Sequence, residues 1–437
     1  MKYANTINDF LNVFNPEPLQ VNELEEFYYS GTMEVRTGNK YFSPIGNIIE
    51  ACQLPSERNS TLLMGHRGCG KSTELNNMSE YLRGLGYYVK ILDCKRELDL
   101  LNLTHMDLMA LMGDALVEIA DNVGCCLDKK LKEQIIRFWD YEEKTFSETK
   151  FNEIAVEAGI EAKTPSFLSV LGLLFKVKTD LKYNEEERRT HRERVKSRSS
   201  NWINLLKQLS EMITEKLDGK QPVIIFEELD KIDPKTAWEI FEMYSSTLTE
   251  VSFPVIYTFP IALYYSPRFN ALKGYFKSEA FPMIKQENID GSPYETGTQI
   301  IERIVLKRAK GSLFEKEALE KMIKKTGGSL RNLFEVILDA ARMARRSGFT
   351  LITNEHAEIA LTRLKSDLTR CIEGKHYPFL AEIYNGNKRQ IKDKEMLLEM
   401  LQAGTVLEYN GKRWCNLHPL VREFLKEENL TGNSNEC

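Results

Sequence analysis

A chain of 437 residues is too long for one ordinary hydrophobic core, so about two or three domains are expected. Its 42% hydrophobic and 28% charged content is that of a soluble globular protein. A formal net charge of −5 excludes a globally basic nucleic-acid binder and confines any such surface to a local patch.

Residues 1–58 form a lead-in segment with two aromatic clusters, Phe27-Tyr28-Tyr29 and Tyr41-Phe42. A helix is expected over Pro44–Cys52, with Ile45, Ile48 and Ile49 apolar. Packing against the next domain and contact with a bound base are both open to this segment.

Thr61-Leu62-Leu63-Met64 reads as a strand, and Glu74 to Leu82 as a helix. Between them, Gly65-His66-Arg67-Gly68-Cys69-Gly70-Lys71-Ser72-Thr73 matches G-x-x-x-x-G-K-[ST] at every required position. Glycines let such a loop wrap tightly and turn its N–H groups inward, where they and the helix N-terminus cradle phosphate oxygens. Lys71 supplies a point charge for the β- and γ-phosphates, and the Ser72 hydroxyl is placed to ligate Mg²⁺. ATP and Mg²⁺ are the cofactors this implies. His66 is expected at the loop's surface.

Tyr87 to Asp93 reads as a second strand. A mostly helical region at about 104–200 follows, with Leu108, Leu111, Met112, Leu116 and Ile119 at helical spacing; it reads as an insertion. It holds the longest apolar run, Phe167–Phe175, about half the roughly 20 residues of a spanning helix. Its dense charge run, Glu185 to Arg194, suits a solvated helix face, with Glu185 and Arg189 spaced to pair.

Pro222-Val223-Ile224-Ile225-Phe226-Glu227-Glu228-Leu229-Asp230-Lys231 describes a buried parallel strand ending in acid. Ligands bind at that edge of open α/β sheets. Glu227 is expected to hold Mg²⁺ through water, and Glu228 to orient or deprotonate the attacking water.

Phosphate loop plus Glu-Glu-Leu-Asp-Lys strand end resembles the AAA+ ATPases, in particular the branch of origin-recognition-like and signal-transduction (STAND-type) ATPases. That branch usually has Asp where this chain has Glu227; the extra methylene implies shifted metal geometry and slow turnover. Pro254 to Pro260 resembles the next core strand, whose polar sensor 1 residue would be Thr258. Thr326-Gly327-Gly328-Ser329-Leu330-Arg331-Asn332-Leu333 resembles the sensor 2 start of a helical lid, in which Arg331 would reach the γ-phosphate. Arg268, Arg192 and Arg194 are weak candidates for an arginine finger.

From about 352 the character becomes α+β. Asn410-Gly411 between Val406–Tyr409 and Lys412–Cys415 signals a hairpin. Helices at Lys394–Ala403 and Pro419–Lys426 flank it, and the set resembles a winged-helix domain. Lys388, Arg389, Lys392, Lys394, Lys412 and Arg413 could neutralise DNA phosphates, whereas Glu395 and Glu399 on the presumed recognition helix favour a protein contact.

The expected fold is α/β: a P-loop AAA+ core with a parallel sheet and a helical insertion (59–289), a helical lid (290–350) and a C-terminal winged helix (351–437). The expected function is an ATP-hydrolysing switch acting on a separately encoded protein partner, with prokaryotic defence or stress signalling as the context the resemblance implies. A DNA-binding origin-recognition-like or transposition-helper ATPase is the alternative, and a non-hydrolysing ATP-stabilised scaffold a third. A nucleotide-dependent homo-oligomer is expected. The scattered eight cysteines lack a C-x-x-C pair, which argues against a zinc site and for reduced thiols in a cytosol. Met1 to Asn5 has no apolar signal core, so a cytoplasmic protein without membrane contact is expected.

Overall fold

The computed structural model describes residues 2–54, 58–125, 131, 199–409 and 414–431. The apolar run Phe167–Phe175, the charge run Glu185–Arg194 with Arg192, Lys412, Arg413 and the Asn410-Gly411 turn lie outside the described residues.

Five strands form one parallel sheet: β1 (Ser60–Met64), β2 (Val89–Asp93), β3 (Val223–Glu227), β4 (Val255–Phe259) and β5 (Lys277–Ala280). Their order is β2-β3-β4-β1-β5. β1 and β4 are buried throughout and β3 up to its final glutamate, which is why they read as continuous apolar runs rather than alternating ones. The register pairs Met64 with Phe259 and Asp93 with Glu227, so the carboxyl ends of the strands share one edge. The phosphate loop leaves β1 and the acid pair leaves β3 at that edge. β5 was not foreseen: Lys-Ser-Glu-Ala has no apolar pattern, and it is half-buried at the sheet's end.

Helices of eight or more residues are numbered in chain order. α1 (Pro44–Gln53) and α2 (Lys71–Gly84) flank β1. α3 (His105–Asn122) and α4 (Ser199–Lys216) bury side chains in the same core as β3 and β4. Trp202 of α4 lies against Gly113, where a Cβ would come within 2.3 Å of the indole, and its N–H donates to the Met109 carbonyl at 3.0 Å. The described ends of the 104–200 region are helical, and their apolar faces cover the sheet. α5 (Pro234–Phe241) adds Trp238 and Phe241 to this core.

α6 (Glu295–Leu306), α7 (Lys316–Lys325) and α8 (Leu330–Arg346) form a second core. α6 buries Ile300, Ile301, Ile304 and Val305, as its spacing predicts. The start of the lead-in joins these helices rather than the sheet: Phe10 and Phe14 pack on Phe314, and Phe14 on Phe334. α9 (Asn354–Thr369) leads to α10 (Tyr377–Tyr384), α11 (Lys394–Ala403), an antiparallel hairpin of β6 (Val406–Tyr409) and β7 (Trp414–Leu417), and α12 (Pro419–Glu427). Leu397, Met400 and Leu401 of α11 pack with Ala262 from the segment after β4. The apolar face of the presumed recognition helix is therefore buried within the C-terminal module and against the segment after β4, and Glu395 and Glu399 on its other face are exposed. Among the described residues no helix is long and apolar enough to cross a membrane.

Candidate nucleotide site

The phosphate loop takes its shape from glycines in the left-handed region, Gly68 at φ 77° and Gly70 at φ 100°. A Cβ on Gly68 would lie 2.5 Å from the Arg331 Cβ, because the start of α8 sits directly on the loop. The Leu330 N–H donates to the Gly68 carbonyl at 3.0 Å. A cleft opens between loop, lid and lead-in. His66, Arg67, Gly68, Gly70, Lys71, Ser72 and Thr73 line it from the loop, and Glu228, Asp230 and Thr258 from the strand ends. Arg331, Phe334, Ile304 and Arg308 line it from the lid, and Leu19, Phe27, Tyr28 and Arg36 from the lead-in. Gly65 backs the loop against the Phe281 carbonyl, and Cys69 is fully buried.

Lys71 is 6% exposed, and its ammonium donates to the carbonyls of Gly65 (2.7 Å) and His66 (3.1 Å) and pairs with Asp230 at 2.9 Å. Thr73 accepts from the Leu19 N–H of the lead-in at 3.2 Å. Glu227 hydrogen-bonds Ser72 from behind the cleft, and its Oε1 is buried without a partner. Burial pushes its carboxyl up to about 7; the Ser72 bond opposes this, and Asp230 and Glu228 add to it. An orphaned carboxylate oxygen beside the loop hydroxyl fits a hard cation. Ser72 and Glu227 could hold Mg²⁺, with nucleotide and water supplying the other oxygens. Among the described residues no group of three or more His, Cys, Asp or Glu side chains forms a metal cage of its own.

Glu228 has φ 70°, a left-handed conformation uncommon for a side chain of this size. It starts a tight turn, Leu229–Lys231, and forms an ion pair with Lys231. Thr258 holds that turn: its hydroxyl donates to the Phe226 carbonyl at 3.1 Å and accepts from the Leu229 N–H at 3.0 Å. The hydroxyl proton of the expected sensor is thus engaged with β3, and Thr258 positions Glu228 and Asp230. Arg331 lies in the first turn of α8, which Ser329 caps through the Asn332 N–H. The Arg331 Nε is buried and has no partner. Arg268 is tethered to its own surface by Glu242 and lies over the Trp238 ring at 4.8 Å.

Two cleft arginines, Arg36 and Arg308, are not legible in the sequence. Arg36 is buried, stacks over Phe281 at 4.4 Å and donates to the Pro282 carbonyl at 2.7 Å. Tyr28 donates to Glu74 at 2.8 Å, which ties the lead-in to the first turn of α2. Arg308 lies over Phe334 at 4.9 Å, and burial lowers it to about 10. Tyr28 belongs to the aromatic cluster that the sequence offers for base contact, whereas no motif marks Arg36 or Arg308, which only the packing of lead-in and lid around the cleft brings there.

His66 corrects the expectation of a surface residue: it is 3% exposed. Its Nε2 accepts the Glu408 N–H of β6 at 2.8 Å, so the ring proton sits on Nδ1. Burial, with Lys71 nearby, lowers its pKa to about 3. Tyr409, next in β6, donates through its hydroxyl to the Gly327 carbonyl at 2.8 Å. Arg422 of α12 makes a double contact with Glu287, at 2.9 and 3.2 Å. The C-terminal hairpin therefore touches phosphate loop and lid turn together.

No family model matches this sequence, and no curated protein does. Solved structures similar to it include Cdc6p from Pyrobaculum aerophilum, at 12% identity and TM-score 0.37, covering 96% of this chain and 98% of that one. The RuvB Holliday junction branch migration motor of Thermotoga maritima aligns at 11% identity and TM-score 0.36, covering 87% and 92%. Drosophila ORC bound to DNA aligns at 11% identity and TM-score 0.35, covering 94% and 92%. The phosphate loop after β1, the acid pair at the end of β3 and the lid arginine meet at one edge of a parallel five-stranded sheet, the α/β arrangement expected from the sequence's resemblance to AAA+ ATPases.

Proposed function

We propose that this protein binds and hydrolyses ATP with Mg²⁺, and that its nucleotide state sets the position of the C-terminal module against the core. Lys71 and Arg331 hold phosphates, Ser72 and Glu227 serve the metal, and Glu228 activates water. Thr258 holds the turn that presents Glu228. The stacked end of the cleft, with Phe27, Ile304, Arg308 and Phe334, takes the base. The module, read as a winged helix over 351–437, faces a separately encoded protein partner when released, and a homo-oligomer in the cytoplasm is the working assembly. A role in prokaryotic defence or stress signalling rests on the resemblance alone.

The observation that supports a switch is the hydrogen bond from Glu408 to His66. A phosphate-loop residue is the acceptor for a backbone donor of the module, so rearrangement of the loop around phosphates bears directly on the hairpin. A ligand shifts such an equilibrium only as far as it prefers one state over the other, and this contact supplies that preference.

A second reading, DNA binding, is favoured by a groove between core and module lined by Tyr264, Tyr265, Lys388, Arg389 and Lys394. Against it, the exposed face of α11 carries Glu395 and Glu399, which repel DNA phosphates. The experiment is steady-state ATP turnover with and without duplex DNA, wild type beside Glu228→Gln. DNA-indifferent turnover abolished by the substitution supports the protein-facing switch. Turnover that rises with DNA favours the second reading. ATP binding without turnover overturns the hydrolytic roles and leaves a nucleotide-stabilised scaffold.

A further inference from the structure

We propose that Asp230 is an internal competitor for the nucleotide's phosphates: its carboxylate occupies the ammonium of Lys71 that a phosphate would otherwise take. This rests on the nucleotide reading of the cleft and adds a positioning residue that sets the site's affinity.

An ammonium has three N–H donors and no acceptor. The three partners of Lys71 are the Gly65 carbonyl at 2.7 Å, the His66 carbonyl at 3.1 Å and Asp230 Oδ2 at 2.9 Å. All three donors are spent inside the chain, so none is left for an entering phosphate. Side-chain exposures of 6% for Lys71 and 10% for Asp230 put the pair out of water, where a charge without its counter-charge is costly. Removing Lys71 from Asp230 therefore requires a replacement anion, and a nucleotide phosphate is one.

The local backbone is arranged to present this carboxylate. The left-handed Glu228 turns the chain, and the Thr258 hydroxyl receives the Leu229 N–H at 3.0 Å, which places Asp230 over the loop. In the same turn Lys231 pairs with Glu228. The phosphate-binding cation and the water-activating carboxylate are thus both neutralised internally, each by a residue of one short turn. Bound phosphates must take Lys71 from Asp230 and then tolerate the freed carboxylate beside them.

The test is equilibrium binding of ADP to the full-length protein in EDTA, wild type beside Asp230→Asn and Asp230→Glu, with adenosine as the phosphate-free control. Asp230→Asn keeps the shape and removes the charge. It is expected to tighten ADP about tenfold, a clear step in dissociation constant, and leave adenosine unchanged. Asp230→Glu, which keeps the charge, is expected to bind ADP much as wild type does. Equal weakening of ADP in both variants means a merely structural residue and overturns the proposal. Weakening by Asn that appears only when Mg²⁺ is restored means a metal ligand and also overturns it. Lys71→Met/Asp230→Asn, which removes both buried charges together, keeps the question open to experiment where the single variant fails to fold. Its gain in ADP affinity over Lys71→Met is expected to be clearly smaller than the gain of Asp230→Asn over wild type, because only repulsion by the carboxylate is left to remove. An equal gain in both backgrounds would make Asp230 a simple repulsive charge, not a partner of Lys71, and overturn the proposal. Wild type that binds neither ADP nor ATP defeats the nucleotide reading itself; wild type that binds them without any gain in Asp230→Asn defeats this inference alone.

Discussion

The phosphate loop and the C-terminal hairpin lie on either side of one hydrogen bond, yet they are specified in different ways. The loop is local: glycines at positive φ, a preceding apolar strand and a following helix put its donors in place within a few residues. The hairpin forms locally too, with Tyr409 stacked on Trp414 at 4.9 Å, but what it touches is decided by packing across the whole chain. A local motif thus sets the loop's shape, and a distant docking contact sets what packs against it.

That contrast breaks most severely at the lid turn between the two regions. Gly328 has φ 82°, and a Cβ there would lie 1.9 Å from the Ile284 carbonyl oxygen. Gly328→Ala is expected to cost at least about 2 kcal/mol, from the left-handed backbone plus a clash with main chain that cannot move aside. Denaturant unfolding measures it, and an unchanged midpoint would mean that the lid does not sit on the core as described.

A smaller effect is expected at the hydrogen bond itself. His66→Leu removes the acceptor and leaves the buried Glu408 N–H unsatisfied, a cost of about 1–3 kcal/mol. If the hairpin is the part that yields, amide exchange at Glu408 and Tyr409 rises while β1 and β3 keep their protection. Uniform loss of protection would instead make hairpin and core one cooperative unit.

The smallest effect depends on pH. Glu408 is buried, bonded to Tyr265 through one oxygen while Oε2 has no partner, and burial pushes its carboxyl up to about 7 from 4.5. Between those values the folded state binds more proton than the unfolded state, so this group's contribution to stability falls as pH rises through the window. Glu408→Gln removes the buried charge and is expected to gain about 1–2 kcal/mol at pH 8, with the gap closing toward pH 5. A gap that does not narrow with acidification would place the carboxylate in water.

The sequence by itself determined the elements whose reasons are local. The apolar runs of β1, β3 and β4, the phosphate loop, the Glu227-Glu228 strand end, the Ser329-capped helix with Arg331 and the α11–hairpin–α12 order are legible because each is set by neighbours a few residues away. Tertiary structure decided the rest. It moved His66 from an expected surface position to a buried acceptor, because β6 closes over the loop. It turned the Thr258 hydroxyl onto β3, put Arg36 into the cleft through the lead-in's path and Arg308 through the lid's packing, and joined α3 and α4 to the sheet's core. It also set Lys71 against Asp230, a pairing of residues far apart in sequence that no periodicity encodes, since it exists only once β1 and β3 end at the same edge of one sheet.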